Sequence, residues 1–136
     1  MTDLENEVMR MFTDGELPEL AILREQWRRA RAYGRHFTGV GFWLDFEVPA
    51  DCPRLGTLST VLDVPGVEHG TFFDLFITDG VIHSLEQCTW GDGHIWPDSP
   101  CRPRYNLHVG KPGAWAIKDS HGERQWDYVK LMLTGD

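Results

Sequence analysis

Residues 38–48, TGVGFWLDFEV, alternate between apolar and other side chains with a period of two. Val40, Phe42, Leu44, Phe46 and Val48 point one way, and Gly39, Gly41, Trp43, Asp45 and Glu47 point the other. That alternation predicts a half-buried antiparallel strand with one core face. Gly39 and Gly41 leave the outer face bare where the strand begins, which gives room for a bulge, a close helix or a ligand. Upstream the period is helical. Leu4, Val8, Met11 and Phe12 make one stripe behind Thr2, an N-cap residue, and Asp14-Gly15 ends it. Asp3, Glu5 and Glu7 occupy the opening turns, where carboxylates favour the helix dipole.

A second helix is predicted from Leu17-Pro18 to Gly34, with Leu20, Leu23, Trp27 and Ala30 as the face packed on the strand. Arg24, Arg28, Arg31 and Arg35 recur on it at spacings of 4, 3 and 4. This stripe reads either as a phosphate or nucleic-acid site or as a solvated face paired with carboxylates elsewhere. The acidic chain and the lack of interleaved aromatics favour the second reading.

Beyond Pro49 and Pro53, LSTVLDV (58–64) is a predicted strand. TFFDLFI and VIHSLEQ then flank Asp79-Gly80, a two-residue hairpin signal because both positions accept positive φ. An uninterrupted ladder sets Ile77 opposite Ile82, Phe76 opposite His83, Leu75 opposite Ser84, Asp74 opposite Leu85 and Phe73 opposite Glu86. Glu86 then ends an apolar face of Phe73, Leu75, Ile77 and Ile82, where a carboxylate needs a partner or a proton. An arginine of the second helix or His36 is the expected partner. RYNLHV (104–109), GAWAIKD (113–119) and WDYVKLML (126–133) read as further short strands, the last two as a hairpin. The expected fold class is α+β, with two N-terminal helices packed on one face of a mostly antiparallel sheet of five to seven strands. One domain over 1–136 is expected, helical over 1–35 and sheet over 36–136.

The segments TGVGF and FDLFITDGVIHSLEQCTWGDGHIWP together resemble a group of small uncharacterised bacterial proteins. Members of that group join a TGVGF strand to an LF-I-DG-I-LE hairpin and a Trp-Pro. The resemblance covers roughly residues 17–97 and leaves the tail, 98–136, outside it. It implies a shared fold and no particular activity.

Charge changes the picture. The chain of 136 residues carries a net charge of −8, and the excess sits in the middle. Residues 1–44 hold 6 basic and 7 acidic side chains, 45–99 hold 1 and 10, and 100–136 hold 6 and 4. Only Arg54 stands against the acids of the middle segment. Such a field repels nucleic acid and attracts a basic partner; its bland role is solubility. Three cysteines at irregular spacing (Cys52, Cys88, Cys101) read as free thiols of a reducing cytosol. The acidic, amphipathic start MTDLENEVMR is not a signal peptide, and no apolar run is long enough for a membrane helix. A cytoplasmic protein without membrane contact is expected.

Catalytic motifs are absent: there is no HExxH, CxxC, GxSxG, Walker A or GxGxxG. Cys88, His94 and Cys101 match no recurrent zinc spacing, so no metal or cofactor is expected. A carboxylate dyad of Asp74 and Glu86 is disfavoured, because the uninterrupted ladder sends them to opposite sides. Trp43 stands on the polar side of its strand beside Asp45 and Glu47, and Trp90 and Trp96 flank Asp92. Tryptophan among carboxylates suits an interface anchor, although a tryptophan loop also serves as a lid on a small core.

Three roles follow. The leading one is a non-enzymatic protein-binding module, of the immunity type or a phage-encoded inhibitor, that blocks a basic site on a partner. Its face comprises Trp43, Asp45, Glu47, Asp63, Glu68, Asp74, Trp90, Asp92 and Trp96, with Asp98 alongside. The basic partner includes nucleic-acid-binding toxins or defence components, with no direct nucleic-acid contact by this chain. The second role is a small enzyme or small-molecule binder with a pocket near His36, Gly39, Gly41 and Glu86. The third is a structural subunit.

Overall fold

The fold is known from a computed structural model, which describes residues 1–57, 59–62, 66–67, 71–89, 103–110, 116–119 and 122–136. Helix α1 (Asp3–Thr13) opens with a capping box. The Glu5 amide donates to Thr2 Oγ1 at 3.2 Å, and the Thr2 amide donates back to Glu5 Oε2 at 2.8 Å. Helix α2 (Pro18–Arg29) starts with proline in its first turn, where the missing N–H costs nothing. Five strands, β1 (Arg31–Phe37), β2 (Gly41–Glu47), β3 (Ser59–Leu62), β5 (Thr71–Thr78) and β6 (Val81–Thr89), form an antiparallel sheet in the order β1-β2-β6-β5-β3. The short β4 (Gly66–Val67) also pairs with β5. A separate ribbon pairs β7 (Asn106–Val109) with β8 (Ala116–Asp119), and α3 (Trp126–Thr134) follows. This is the α+β class, with helices packed on an antiparallel sheet. Among the described residues no helix is long and apolar enough to cross a membrane.

One core joins the layers. Val8, Met9, Phe12, Leu20, Leu23, Tyr128, Val129 and Leu133 from the helices meet Phe42, Leu44, Phe46, Leu62, Phe73, Leu75, Ile77, Ile82 and Leu85 from the sheet. Trp27 meets Phe46 edge to face, with ring centroids 5.8 Å apart. The core face expected of the long strand is therefore present over Phe42, Leu44 and Phe46, with Val48 packed against it. Val40 is the exception: it lies in the β1–β2 turn, 55% exposed. The Thr38 amide donates to the Gly41 carbonyl at 3.0 Å, so the strand starts only after that turn.

Three further expectations are corrected. The second helix stops at Arg29, and residues 31–37 form an edge strand instead. Tyr33 and Phe37 suit a pleated surface, and pairing with β2 outweighs the helical spacing of the arginines. Residues 126–133 are helical, not a strand. Gly135 ends α3 in the left-handed region at φ 77°, with its amide donating to the Leu131 carbonyl at 2.8 Å. The hairpin partner of the 113–119 segment is accordingly the strand β7, not the chain terminus. Finally, the ladder of β5 and β6 slips by one residue. Ile77 faces Ile82 as expected, but Phe76 faces Ser84 and Asp74 faces Glu86. The extra residue is His83, a β-bulge.

The slip is held from the helix layer. Gln26 is fully buried on α2, and its Nε2 donates to the carbonyls of Pro53 at 2.7 Å and Gly80 at 2.9 Å. Its Oε1 accepts the Ile82 amide at 2.9 Å, one residue before the bulge. Asp79 and Gly80 both take positive φ, 52° and 74°. A side chain at Gly80 would overlap the Leu55 backbone, whose amide donates to the Gly80 carbonyl at 2.9 Å.

Arginines close the ends of α1. The Arg35 guanidinium grips the buried Glu5 carboxylate at 2.7 and 2.9 Å and lies over the Phe42 ring at 4.6 Å. Burial opposes ionisation of Glu5, but the bonds from Arg35 and Thr2 hold its pKa below the ordinary value. At the other end Arg124, 8% exposed, donates to the carbonyls of Met11, Phe12 and Asp14. Arg24 donates to those of Thr13 and Gly15 at 2.6 and 2.7 Å. Guanidinium groups here satisfy carbonyls that a helix terminus leaves open and oppose its dipole.

Two substitutions check this packing. Phe42→Ala is expected to destabilise by about 3–5 kcal/mol in denaturant melts, the usual cost of a large core deletion; a loss under about 1 kcal/mol contradicts the register. Gln26→Leu keeps the volume and strands the Ile82 amide and the Pro53 carbonyl. It should cost about 2–4 kcal/mol, and unchanged melting rules out the clamp.

Candidate functional site

The sheet face away from the helices collects the polar chemistry. Pairing aligns His36, Trp43, Glu86 and Asp74 in one row across β1, β2, β6 and β5. The neighbouring row is Gly34, Asp45, Ser84, Phe76 and Val61. A third holds Gly41, Cys88 and Phe72. The bulge at His83 creates this arrangement, because it turns Glu86 off the apolar face and seats buried Gln87 there instead. The expected opposition of Asp74 and Glu86 to different sides is thus overturned: they are direct cross-strand neighbours. One sequence signal points to the bulge. Ile82 and Leu85, both buried, stand three residues apart, which no period of two accommodates.

Trp43 reaches across β6 to Phe76, with ring centroids 4.9 Å apart and planes 38° apart. Ser84 lies between their strands and is buried. His83 Nδ1 is 3.3 Å from Ser84 Oγ. His36 Nε2 sits 3.2 Å from Asp45 Oδ2, and Glu47 pairs with Arg31 at the end of the strand. Among the described residues no hydrogen bond or ion pair reaches Glu86; neither the arginines of α2 nor His36 supplies the expected partner. Burial alone raises its pKa above the ordinary glutamate range.

Of the anticipated interface residues, Trp43, Asp45 and Asp74 share this face with Glu86, and Glu47 borders it. Asp63, Glu68, Trp90, Asp92, Trp96 and Asp98 lie outside the described residues. For the anticipated pocket, His36 and Glu86 share a row with Trp43 between them. Gly39 serves the β1–β2 turn at φ 86°, and a side chain at Gly41 would overlap the Gln87 carbonyl. Those two glycines thus answer to backbone geometry. A cavity of about 390 Å³ lies at the opposite end of the β1–β2 hairpin, lined by Arg31, Tyr33, Phe46 and Glu47. Its Tyr33 went unnoticed in the sequence because residues 31–34 read as helix. Nothing local to Phe76 in the sequence signals its contact with Trp43 two strands away.

The Arg stripe dissolves into separate contacts. Arg24 bonds the Thr13 and Gly15 carbonyls, Arg28 bonds Glu25, Arg31 bonds Glu47 and Arg35 bonds Glu5. Cys52 is a free, buried thiol, and among the described residues no group of three or more His, Cys, Asp or Glu side chains is placed to hold a metal.

No family model matches the chain, and no solved structure matches it. A probable serine carboxypeptidase of Arthroderma benhamiae is 28% identical over 75 residues, which is 51% of this chain and 14% of that protein. The chain thus spans a small part of that relative's length.

The Glu86 environment yields a pH test. A raised carboxyl pKa means the folded state favours the neutral acid. That contribution is complete below the ordinary value of 4.5 and is lost as pH rises through the folded pKa. Glu86→Gln should therefore melt higher than the parent protein at pH 7 and match it near pH 4. A constant difference across that range contradicts the assignment.

Proposed function

We propose that this chain is a non-enzymatic protein-binding module, of the immunity or phage-inhibitor type. It would use an acidic, tryptophan-bearing face to block a basic site on another protein. The carrying observation is the Trp43–Phe76 pair lying among Asp45, Asp74 and Glu86 on a face where β2, β5 and β6 contribute no lysine or arginine. A desolvated carboxyl without a bond of its own is an acceptor that a partner's Lys or Arg would satisfy. An aromatic pair beside it offers rigid area and a cation–π surface. Carboxylates around such an anchor steer a basic target and speed association. The free thiol of Cys52 fits a reducing compartment, and the cytoplasm is the location proposed.

One observation favours a second reading, a small enzyme. Asp74 and Glu86 face each other across adjacent strands, and Glu86 holds its proton more tightly than an ordinary glutamate. A carboxyl that holds its proton beside a second carboxyl suits acid–base chemistry. The 390 Å³ cavity lies at the Arg31–Glu47 end of the β1–β2 hairpin.

The test uses a partner recovered by salt-sensitive capture and then purified. Asp45→Asn with Glu47→Gln removes the exposed Glu47–Arg31 pair and the His36 contact of the part-buried Asp45, and should change stability by about 1 kcal/mol or less. It should slow association at low salt and flatten the salt dependence. An unchanged rate at low salt leaves the carboxylates as a solubility feature only.

A further inference from the structure

Charge is sorted across the main sheet in an unexpected way. Its edge strand β1 holds Arg31, Arg35 and His36 and no carboxylate, while its other strands hold no lysine or arginine. The sheet's arginines thus all lie on this edge strand, Arg31 beside Glu47 and Arg35 beside Glu5. Among the described residues no strand lies beyond β1. Large apolar side chains are also exposed there: Tyr33 is 59% exposed, Phe37 80% and Val40 55%. A bare apolar edge is a liability unless something pairs with it.

The backbone of this edge has a defined polarity. Thr38 bonds Gly41 across the turn, and antiparallel bonding alternates from there. His36 then bonds Trp43, and the amides of Phe37 and Arg35 point away from β2. The ladder breaks at Tyr33, where the bulge lies, and the cavity lined by Arg31, Tyr33, Phe46 and Glu47 opens next to that break. A run of backbone donors thus ends beside a hollow with an aromatic wall.

We infer that β1 is a docking edge for an extended acidic peptide segment of a partner protein, added as a further strand. Its carbonyls take the Phe37 and Arg35 amides, one apolar side chain fills the hollow, and its carboxylates lie beside Arg31 and His36. Those two side chains are 71% and 69% exposed, so their pairs with Glu47 and Asp45 are weak and open to a competing carboxylate. A second copy of this chain is a poor occupant, because its own β1 offers no carboxylate to Arg31 or His36. Strand addition draws affinity from main-chain bonds and specificity from alternate side chains, which this edge provides. The site adjoins the acidic face at the Arg31–Glu47 and His36–Asp45 contacts and selects the opposite charge.

The experiment selects a display library of random decapeptides on the full chain and measures the enriched sequences by calorimetry. Peptides alternating acidic and apolar residues are expected. Phe37→Pro removes one outward donor on an edge that tolerates proline and should weaken binding at least about tenfold beyond Phe37→Ala. Arg31→Glu should weaken it too. N-methylation of the peptide at successive amides supplies a check independent of folding: alternate positions should abolish binding and the others leave it intact. Methylation effects without alternation overturn the proposal, as does a failure of any acidic peptide to enrich. Enrichment of basic peptides only, lost in Glu86→Gln, supports the acidic face and overturns the docking edge.

Discussion

The Gln26 amide ties α2 to the Pro53 loop and to the β5–β6 hairpin, to neither of which α2 is joined by strand pairing. It takes the Ile82 amide, just before the β6 bulge, and gives both its protons to carbonyls of the Pro53 loop and the Gly80 turn. Being fully buried, it has no water to fall back on, so those bonds are exchanged for nothing. The constraint propagates. With the turn pinned under α2, His83 becomes the residue without a cross-strand partner, and every later side chain of β6 changes face. Leu85 and Gln87 enter the core, and Ser84 and Glu86 leave it. The composition of the outer face is therefore decided beneath the opposite one.

How much was legible in the sequence follows from this. Helix α1, the Asp79-Gly80 turn and the inner face of β2 are local patterns, and local patterns read correctly. The capping box needs only Thr2 and Glu5, and the turn only two residues tolerant of positive φ. Where the outcome depended on distant groups, reading failed. Glu86 changed sides because of a glutamine 60 residues earlier. Arg31 and Arg35 looked like one helical stripe, yet the bulge at Tyr33 sends Arg31 to Glu47 and Arg35 to Glu5 on α1. The segment 126–133 carries apolar residues at both two- and four-residue spacings, and its decisive feature, Gly135 in the left-handed region, is a terminal cap easily passed over.

The arginines show why charge counts along a chain mislead. Six basic residues in the first third look like a field, but in the fold each described guanidinium there has an assigned oxygen. Arg24 and Arg124 oppose a helix dipole through carbonyls, and Arg35 ties the start of α1 to the edge of the sheet. Surface pairs such as Arg28 with Glu25 add little stability. The Glu5–Arg35 pair differs, because its carboxylate is 2% exposed and also completes the cap. Removing the arginine leaves a buried charge, and the cost then falls on both the helix start and β1.

Sorting of charge within the sheet follows from the same two bulges. At Tyr33 the extra residue splits the arginines between faces, and at His83 it turns a glutamate outward. Had both ladders been regular, Glu86 would sit among Phe73, Leu75 and Ile77, where an ionised carboxyl is costly. The bulged ladder instead leaves it half-buried beside Asp74, with a pKa raised by desolvation alone. Two bulges thus convert alternating sequences into an acidic aromatic face bordered by the strand that carries the sheet's arginines. A partner meeting that border would be read by both signs at once. Binding of one charge type at the face leaves the backbone donors of β1 untouched, so the two surfaces are separable by substitution.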